Sequence, residues 1–256
     1  MKIVVAIKQV PSRDSQLKIN AAGKWIEDAD LSYEINEPDA YALESALQLR
    51  EKASGEVVVI CAGPAGASQT IREALAKGAD RAIHVETDAF EVSDPLALGR
   101  IMAKALEAEQ PDLVMTGLQS DDLGYGQTGV ILAEVMGLPH ATLIMSMELD
   151  GNTLTVKREL EDGWFQNVEI PLPALLTIQS GATKLRYATL MGIKKAKTKE
   201  VKKLPAAELA VSAAQVIHLD RIYMPGKTKK SVVFDGPAKE SAAKLVEKLR
   251  FEVRVI

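Results

Sequence analysis

Cysteine and histidine are scarce in this sequence. Its 256 residues include one cysteine, Cys61, and three scattered histidines, His84, His140 and His218. A single cysteine excludes a disulfide within the chain, and the histidines lack the spacing of a zinc site. No serine or cysteine has a histidine base that the sequence makes evident. We therefore expect a chain that holds no metal ion and has no catalytic residues of its own.

Long apolar runs and a surplus of basic residues are missing too. No run approaches the roughly 18 apolar residues that span a bilayer. The five apolar residues between Lys2 and Lys8 are too few for a signal-peptide core. The formal net charge is −4, which gives no indication of a nucleic-acid surface. The sequence thus predicts a cytoplasmic chain that neither spans a membrane nor binds nucleic acid.

Apolar residues make up 47% of the sequence and charged residues 26%, which is enough for a full globular core. In the first half, short β-branched runs alternate with helical patterns. The predicted strands are Ile3–Ile7, Val57–Cys61, Ala82–Val85 and Leu113–Thr116, and the predicted helices are Tyr41–Lys52, Ser68–Lys77, one that starts at Pro95, and Gln127–Met136. Strands separated by helices favour a parallel sheet that is covered on both faces. The predicted fold class is α/β, with a doubly wound, mostly parallel sheet that is Rossmann-like or adenine-nucleotide-hydrolase-like.

Strand-like segments follow one another after Pro139 without intervening helices. They are Leu143–Leu149, Thr153–Leu160, Phe165–Ile170 and Leu175–Ile178. Asp150-Gly151-Asn152 and Asp162-Gly163 supply turn residues between them. We therefore predict that antiparallel hairpins extend the sheet.

The pattern weakens after Lys184. Lysines dominate residues 194–203, which predicts a basic segment with almost no regular structure. Helical periodicity returns only at Lys239–Leu249. We therefore predict two parts, a nucleotide-binding α/β domain at residues 1–190 and a C-terminal arm at residues 191–256 that packs on another chain.

The segment from Gly117 to Gly129 carries the clearest chemical signal, because it is rich in glycine and lies between a predicted strand and a predicted helix. Glycine allows backbone amides to approach an oxyanion closely, and a helix N-terminus adds a positive dipole. Thr128 adds a hydroxyl group. Asp121 and Asp122 would repel a phosphate at contact distance, so we expect them to accept hydrogen bonds from ribose or to cap the helix. The pattern predicts a phosphate-binding loop, and a glycine-rich turn without a ligand is the alternative.

Gly124, Gly126 and Gly129 also match the dinucleotide-binding fingerprint, with Glu148 near the position of its ribose-binding acid. In that fingerprint the first glycine directly follows the strand, whereas here seven residues intervene after Thr116. The match therefore argues only weakly for NAD.

Small residues end two other predicted strands, at Ala6 and at Ala62. The polar segment Asn36–Asp39 precedes the first predicted helix. Ligands of open α/β sheets lie beyond the carboxyl ends of the strands, so these positions would leave room for a flat base. Ordinary tight packing and helix capping explain each of them equally well when taken singly.

The segment Val156–Thr177 resembles the signature of electron transfer flavoprotein beta subunits. The similarity continues at Lys8–Pro11, Ala62–Pro64, Lys77–Arg81 and Arg186–Leu190. It covers nearly the whole chain and is weakest near the C-terminus. The chain thus resembles a member of this family.

The resemblance implies a heterodimer with an alpha subunit that holds most of the FAD, while the beta subunit buries one AMP. In this family, electrons pass from flavin dehydrogenases, such as the acyl-CoA dehydrogenases of fatty acid β-oxidation, to a quinone oxidoreductase. By matching motifs, the cofactor-binding residues would be Ala6, Asn36, Glu37, Pro38, Asp39, Ala62, Asp122, Leu123, Gly124, Tyr125, Gly126, Gln127, Thr128, Gly129, Val130, Ile131, Leu132 and Ala133. The resemblance also implies that Leu190 anchors the partner dehydrogenases.

Three alternatives stay open at this point. Some relatives hold a second FAD in place of AMP and bifurcate electrons, but their loop differs from residues 121–129, which favours AMP here. An adenylate-using enzyme would need a Ser-Gly-Gly type of loop after the first strand, where this chain has Ala6–Pro11. A small nucleotide-sensing module would lack the long basic segment.

Overall fold

A nine-stranded sheet forms the centre of residues 1–221. The structure is a computed structural model that describes residues 1–87, 94–211, 216–226 and 231–256. The strands are β1 (Lys2–Ala6), β2 (Gln9–Pro11), β3 (Tyr33–Ile35), β4 (Glu56–Gly63), β5 (Arg81–Glu86), β6 (Leu113–Gly117), β7 (His140–Asp150), β8 (Thr153–Glu159), β9 (Phe165–Pro171), β10 (Ala174–Ile178) and β11 (Val201–Pro205). Strands β2 and β3 form a separate antiparallel pair, and the large sheet has the order β11-β5-β4-β1-β6-β10-β7-β8-β9.

Neighbouring strands from β11 to β7 run parallel, and β8 and β9 continue the sheet as antiparallel strands. This arrangement confirms the predicted fold class and its hairpin extension. Strand β10 differs from expectation, because it lies between β6 and β7 and is parallel to both. All of its residues are buried, and a strand that is buried on both faces belongs in the interior of a parallel sheet.

Helices cover both faces of the sheet. Those of residues 1–221 are α1 (Glu37–Ala53), α2 (Ser68–Lys77), α3 (Pro95–Leu106), α4 (Thr128–Met136) and α5 (Leu190–Ala196), whereas α6 (Ala238–Lys248) belongs to residues 222–256. Because successive strand residues point to opposite faces, β1 serves two cores. Ile3 shares an apolar cluster with Leu47 of α1, whereas Val4 shares another with Met102 of α3 and Leu132 of α4.

The lysine-rich segment has regular structure, so the prediction of an almost structureless run was wrong. It forms α5 and β11, and β11 pairs in parallel with β5. Lys199 helps to hold it, because its ammonium donates to the carbonyl oxygens of Leu75 and Ala79 at the end of α2. Carbonyls at a helix end lack intrahelical partners and accept such bonds. The predicted division of the chain at residue 190 concerns packing on another subunit and stays a prediction.

Residues 222–256 form a second compact unit. It contains α6, which confirms the helix predicted at Lys239–Leu249, and a π-helical turn at Leu249–Val253. Leu245 and Val246 of α6 are 47% and 46% exposed. Among the residues that the structure describes, no helix is long and apolar enough to cross a bilayer.

Candidate functional site

A cleft of about 110 Å³ opens at the carboxyl ends of β1, β4 and β6. The predicted site residues that line it are Ala6, Asn36, Asp39, Ala62, Leu123, Tyr125, Gly126, Gln127, Thr128 and Gly129. The structure therefore brings together the strand ends, the start of α1 and the glycine-rich segment, which the sequence singled out separately.

The other predicted cofactor-binding residues lie outside the lining of this cleft. They are Glu37, Pro38, Asp122, Gly124, Val130, Ile131, Leu132 and Ala133. Leu132 and Ala133 are buried in the apolar core on the α3 and α4 face of the sheet. Ile131 packs closely against Gly99 of α3. The assignment of these residues to a ligand stays a prediction.

Asp39, in the first turn of α1, joins two strand ends beside the cleft. Its Oδ2 accepts a hydrogen bond from the backbone N–H of Lys8 at 2.8 Å, and its Oδ1 accepts one from Gly117 at 2.9 Å. Burial raises the pKa of Asp39 to about 7, although these amide donors act in the opposite direction. A Cβ atom at Gly117 would collide with Asp39 Oδ1, so glycine makes this close approach available.

Asn36 holds the loop that follows β6 against the start of α1. Its Nδ2 donates to the carbonyl oxygen of Gln119 at 2.8 Å, and its Oδ1 accepts from the N–H of Asp121 at 2.9 Å. The side chain is almost fully buried. Because its donor and its acceptor are both engaged, Asn36 shapes the cleft as a fixed link between two loops.

The first turn of α4 presents unsatisfied backbone N–H groups beside the cleft. No side chain caps the helix. The first backbone hydrogen bond of the helix runs from the N–H of Ile131 to the carbonyl oxygen of Gln127, at 3.0 Å. Among the described residues, the amides of Thr128, Gly129 and Val130 therefore have no acceptor. An uncapped helix N-terminus that borders a cleft is suited to an anion.

Two glycines near this helix have different physical roles. Gly126 has a φ of 63°, a left-handed conformation that favours glycine. Gly129 is required by packing, because a Cβ atom there would lie 2.5 Å from Thr116 Oγ1 and 2.7 Å from Thr177 Cγ2. Helix α4 thus approaches β6 and β10 closely at Gly129. The predicted contact of its amide with an oxyanion stays a prediction.

Charged side chains cluster near the glycine-rich segment. Lys8, which lines the cleft, has its Nζ 2.6 Å from Asp122 Oδ1. Burial would raise the pKa of Asp122, but Lys8 and further hydrogen-bond donors hold it below its usual range. Arg13 pairs with Glu37 and, at 3.3 Å, with Asp121. Lys8 is therefore the cation of this group that a bound anion would meet.

Helix α3 forms an apolar wall that sequence reasoning missed. Pro95, Leu98 and Met102 line the cleft. Their spacing marks one face of a helix, but an apolar face usually belongs to a core and carries no sign of a ligand. Lys8 was missed as well, although its position directly after the first strand could have indicated it.

Leu190 lies outside the cleft, at the start of α5. It is 82% exposed, and its neighbours Tyr187 and Met191 are 92% and 62% exposed. Thr189 caps the helix by accepting a hydrogen bond from Gly192 N at 3.0 Å. Leu190 is therefore an exposed leucine beside other exposed apolar residues in the sequence, and it is not part of the core.

The fold places the chain in the Rossmann-like α/β class, whose members bind ligands at the carboxyl edge of the sheet. Within the described parts of the chain, no group of three or more histidine, cysteine, aspartate or glutamate side chains could hold a metal ion.

Comparison with known proteins identifies the family. A family model described as the electron transfer flavoprotein domain matches residues 24–209. Electron transfer flavoprotein subunit beta of Methylophilus methylotrophus is 38% identical over 257 residues, which cover 96% of this chain and 97% of that protein. The proteins of the same name from Bradyrhizobium diazoefficiens and, labelled mitochondrial, from Arabidopsis thaliana are 35% and 33% identical, with 100% of both chains covered. The chain belongs to the electron transfer flavoprotein beta subunit family, which confirms the resemblance seen at Val156–Thr177.

Proposed function

We propose that this chain is the beta subunit of a heterodimeric electron transfer flavoprotein and that its cleft binds AMP. Membership of the family supports the subunit role. The observation that carries the AMP proposal is the uncapped N-terminus of α4, where Thr128 and Gly129 border the cleft. Such a helix end attracts anions and suits the phosphate of a nucleotide.

The rest of the lining fits the other parts of AMP. Ala6 and Ala62 leave room at two strand ends, and Leu98 and Met102 offer an apolar surface. This combination suits an adenine ring, because ligand sites are mostly apolar with a few polar groups that fix orientation. Lys8 adds a positive charge for the phosphate.

A single phosphate agrees better with the charges than a longer phosphate chain. Lys8 is already paired with Asp122, and the carboxylates of Asp121 and Glu37 lie in the neighbouring ion-pair cluster. Further phosphates, as in a second FAD, would bring more negative charge toward these carboxylates. The charges therefore favour AMP over the FAD of the bifurcating alternative.

FAD carries out the redox chemistry, and we propose that it is bound mainly by the alpha subunit and contacts this chain. The flavin, when bound, supplies the electron transfer, and the polypeptide supplies placement and docking without catalytic residues of its own. Exposed apolar residues in the second compact unit support a partner chain. Met224, Phe251 and Ile256 are 78%, 67% and 64% exposed, and exposed apolar surface of this kind favours association.

The exposed side chains of Leu190 and Tyr187 are the proposed docking site for flavin dehydrogenases such as acyl-CoA dehydrogenases. Lys194, Lys195 and Lys197 lie in or next to α5, where they would steer an acidic partner. The proposed electron acceptor is a quinone oxidoreductase, and the proposed role includes fatty acid β-oxidation. We propose a cytoplasmic location, which cell fractionation tests.

Nucleotide extraction tests the AMP proposal most directly. The chain is co-expressed with its alpha subunit, and the complex is purified and denatured. The released nucleotides are separated by chromatography, identified by mass spectrometry and quantified. We expect one AMP and one FAD for each heterodimer, with the visible spectrum of a flavoprotein. Two FAD and no AMP would support the bifurcating alternative, and the absence of any nucleotide besides one FAD would contradict the proposed cleft.

A pair of glycine variants tests the position of the cleft. Gly126 and Gly137 flank α4 with φ of 63° and 66°, so alanine costs about 1–2 kcal/mol at each. Of these two glycines, only Gly126 lines the cleft. We therefore expect Gly126→Ala to lose AMP during purification and Gly137→Ala to keep it. Equal AMP content in the two variants would show that the glycine-rich segment does not hold the nucleotide.

Leu190→Ala tests the docking site. Electron transfer from an acyl-CoA dehydrogenase should slow, while the FAD content of the heterodimer stays unchanged. Leu17→Ala is the control, because Leu17 is also exposed, at 54%, but lies in a different part of the chain. Equal transfer rates for the native protein and Leu190→Ala would remove the docking assignment.

A further inference from the structure

Asp94 connects two parts of the chain that are far apart in the sequence. Its side chain is fully buried. Its Oδ1 accepts hydrogen bonds from the backbone N–H groups of Leu96 and Ala97 at 2.8 and 2.9 Å. Its Oδ2 accepts from Val216 and Ile217, both at 2.7 Å. The first pair caps α3, and the second pair holds a segment that begins 122 positions later.

The backbone amides around Asp94 keep its buried side chain in the charged carboxylate form. Burial alone would raise the pKa, but the amide donors on both oxygens hold the pKa of Asp94 below its usual range. Hydrogen bonds to a charged acceptor are roughly twice as strong as those between neutral groups. Loss of Oδ2 alone would therefore release residues 216–217, and loss of both oxygens would also uncap α3.

The helix that Asp94 caps is also the apolar wall of the cleft. Pro95 is its first residue and Leu98 lies one turn further, and both line the cleft, whereas Asp94 does not. The segment 216–221 has a second attachment at Lys24, whose ammonium donates to the carbonyl oxygen of Asp220. One end of this segment is therefore fixed to the wall of the candidate site.

We propose that Asp94 couples nucleotide binding in the cleft to the attachment of residues 216–221. A nucleotide that packs against Pro95 and Leu98 fixes the first turn of α3 and, with it, the carboxylate that holds the segment. Coupling between two binding events is reciprocal, so the attached segment raises nucleotide affinity by the same factor. Asp94 is thus a positioning residue. This inference rests on the proposed binding of a nucleotide in the cleft.

Two variants separate the coupling from simple helix capping. Asp94→Asn keeps one oxygen for the cap of α3 but turns an NH₂ donor toward the N–H groups of Val216 and Ile217. Asp94→Ser also caps a helix well, but its side chain is too short to reach the second segment. Thr189→Ala removes the cap of α5 and is the control for the loss of a cap elsewhere.

The full chain is measured with AMP as the probe. Hydrogen exchange with mass spectrometry reports the protection of residues 216–221, and equilibrium dialysis gives the AMP dissociation constant. In the native chain we expect saturating AMP to slow exchange of this segment on the order of 5- to 10-fold. In both Asp94 variants, AMP affinity should fall by a similar factor and exchange should no longer respond to AMP. Thermal unfolding checks that each variant is folded.

The outcomes are distinct. A native chain that binds AMP without slowing exchange at residues 216–221 overturns the coupling, and this result needs no variant. Asp94 variants that bind AMP as tightly as the native chain overturn it as well, as does an equal loss of affinity in Thr189→Ala. A native chain that binds no AMP overturns the proposed nucleotide site itself, before any variant is made.

Discussion

Helices α2 and α6 have similar lengths and similar apolar faces, yet their surroundings differ. In α2, Ile71 and Leu75 are completely buried against the sheet. In α6, Leu245 and Val246 remain about half exposed, at 47% and 46%. Helical periodicity therefore specifies which face of a helix is apolar, but it does not specify what covers that face. Helix α2 belongs to a region that completes its own core, whereas we propose that the alpha subunit covers the apolar face of α6.

The largest effect is expected inside the first region. Leu75→Ala should lower the free energy of unfolding by about 2–5 kcal/mol. The removed atoms no longer contribute their burial free energy, and they leave a cavity in the core. Urea denaturation of the isolated chain measures the change. A loss below about 1 kcal/mol would mean that α2 packs no more tightly than an exposed helix, and that α2 and α6 do not differ in how well their apolar faces are covered.

The buried carboxylate of Asp39 should make the stability of the first region depend on pH, unlike an exposed carboxylate of the second unit. An unfolded aspartate titrates near pH 4, with a pKa of about 3.9, whereas burial raises the pKa of Asp39 to about 7. The folded state thus binds this proton more tightly. The stability that Asp39 contributes is fully present below about pH 4 and is lost as the pH rises through about 7.

Asp39→Asn should therefore remove a negative slope of at most about 1.4 kcal/mol per pH unit between roughly pH 4 and pH 7. Denaturation of both proteins across this range gives the difference in the free energy of unfolding. Asp235→Asn changes an exposed carboxylate of the second unit and is the control. Parallel profiles for the native chain and Asp39→Asn would show that Asp39 is not held in a low-dielectric site.

The smallest effect on the isolated chain is expected in α6. Leu245→Ala should change the free energy of unfolding by less than about 0.5 kcal/mol, because the side chain is half exposed. The same variant should weaken assembly with the alpha subunit, as size-exclusion chromatography of mixed subunits would show. A loss as large as that of Leu75→Ala would mean that this face is already covered within the chain.

Helices and strands were predicted correctly where the spacing of their own apolar residues identifies the buried face. Helices α1 to α4 and most strands of the large sheet follow from apolar spacing and turn residues. Strand β11 was missed because Lys202 and Lys203 interrupt its apolar pattern, although charged residues of this kind are common on a strand at the edge of a sheet. Strand β10 was predicted, but its place between β6 and β7 depends on topology that local spacing does not encode.

The candidate site was predicted only in part, for a similar reason. The strand ends and the glycine-rich segment converge because ligands of such sheets collect at the carboxyl edge. The wall formed by Leu98 and Met102 depends on where α3 packs. The second role of Asp94 depends on a segment 122 positions away, so its sequence context, a cap followed by Pro95, indicates only a helix start.

The place of β10 also constrains how the chain assembles during synthesis. Both of its neighbours, β6 and β7, leave the ribosome before it does, and the sheet stays split between them until Ile178 has emerged. Unpaired strand edges are templates for contact with other chains, and such exposure favours aggregation of nascent proteins. We therefore expect fragments that end before Ala174 to aggregate more than the full chain, which the ratio of soluble to pelleted protein measures.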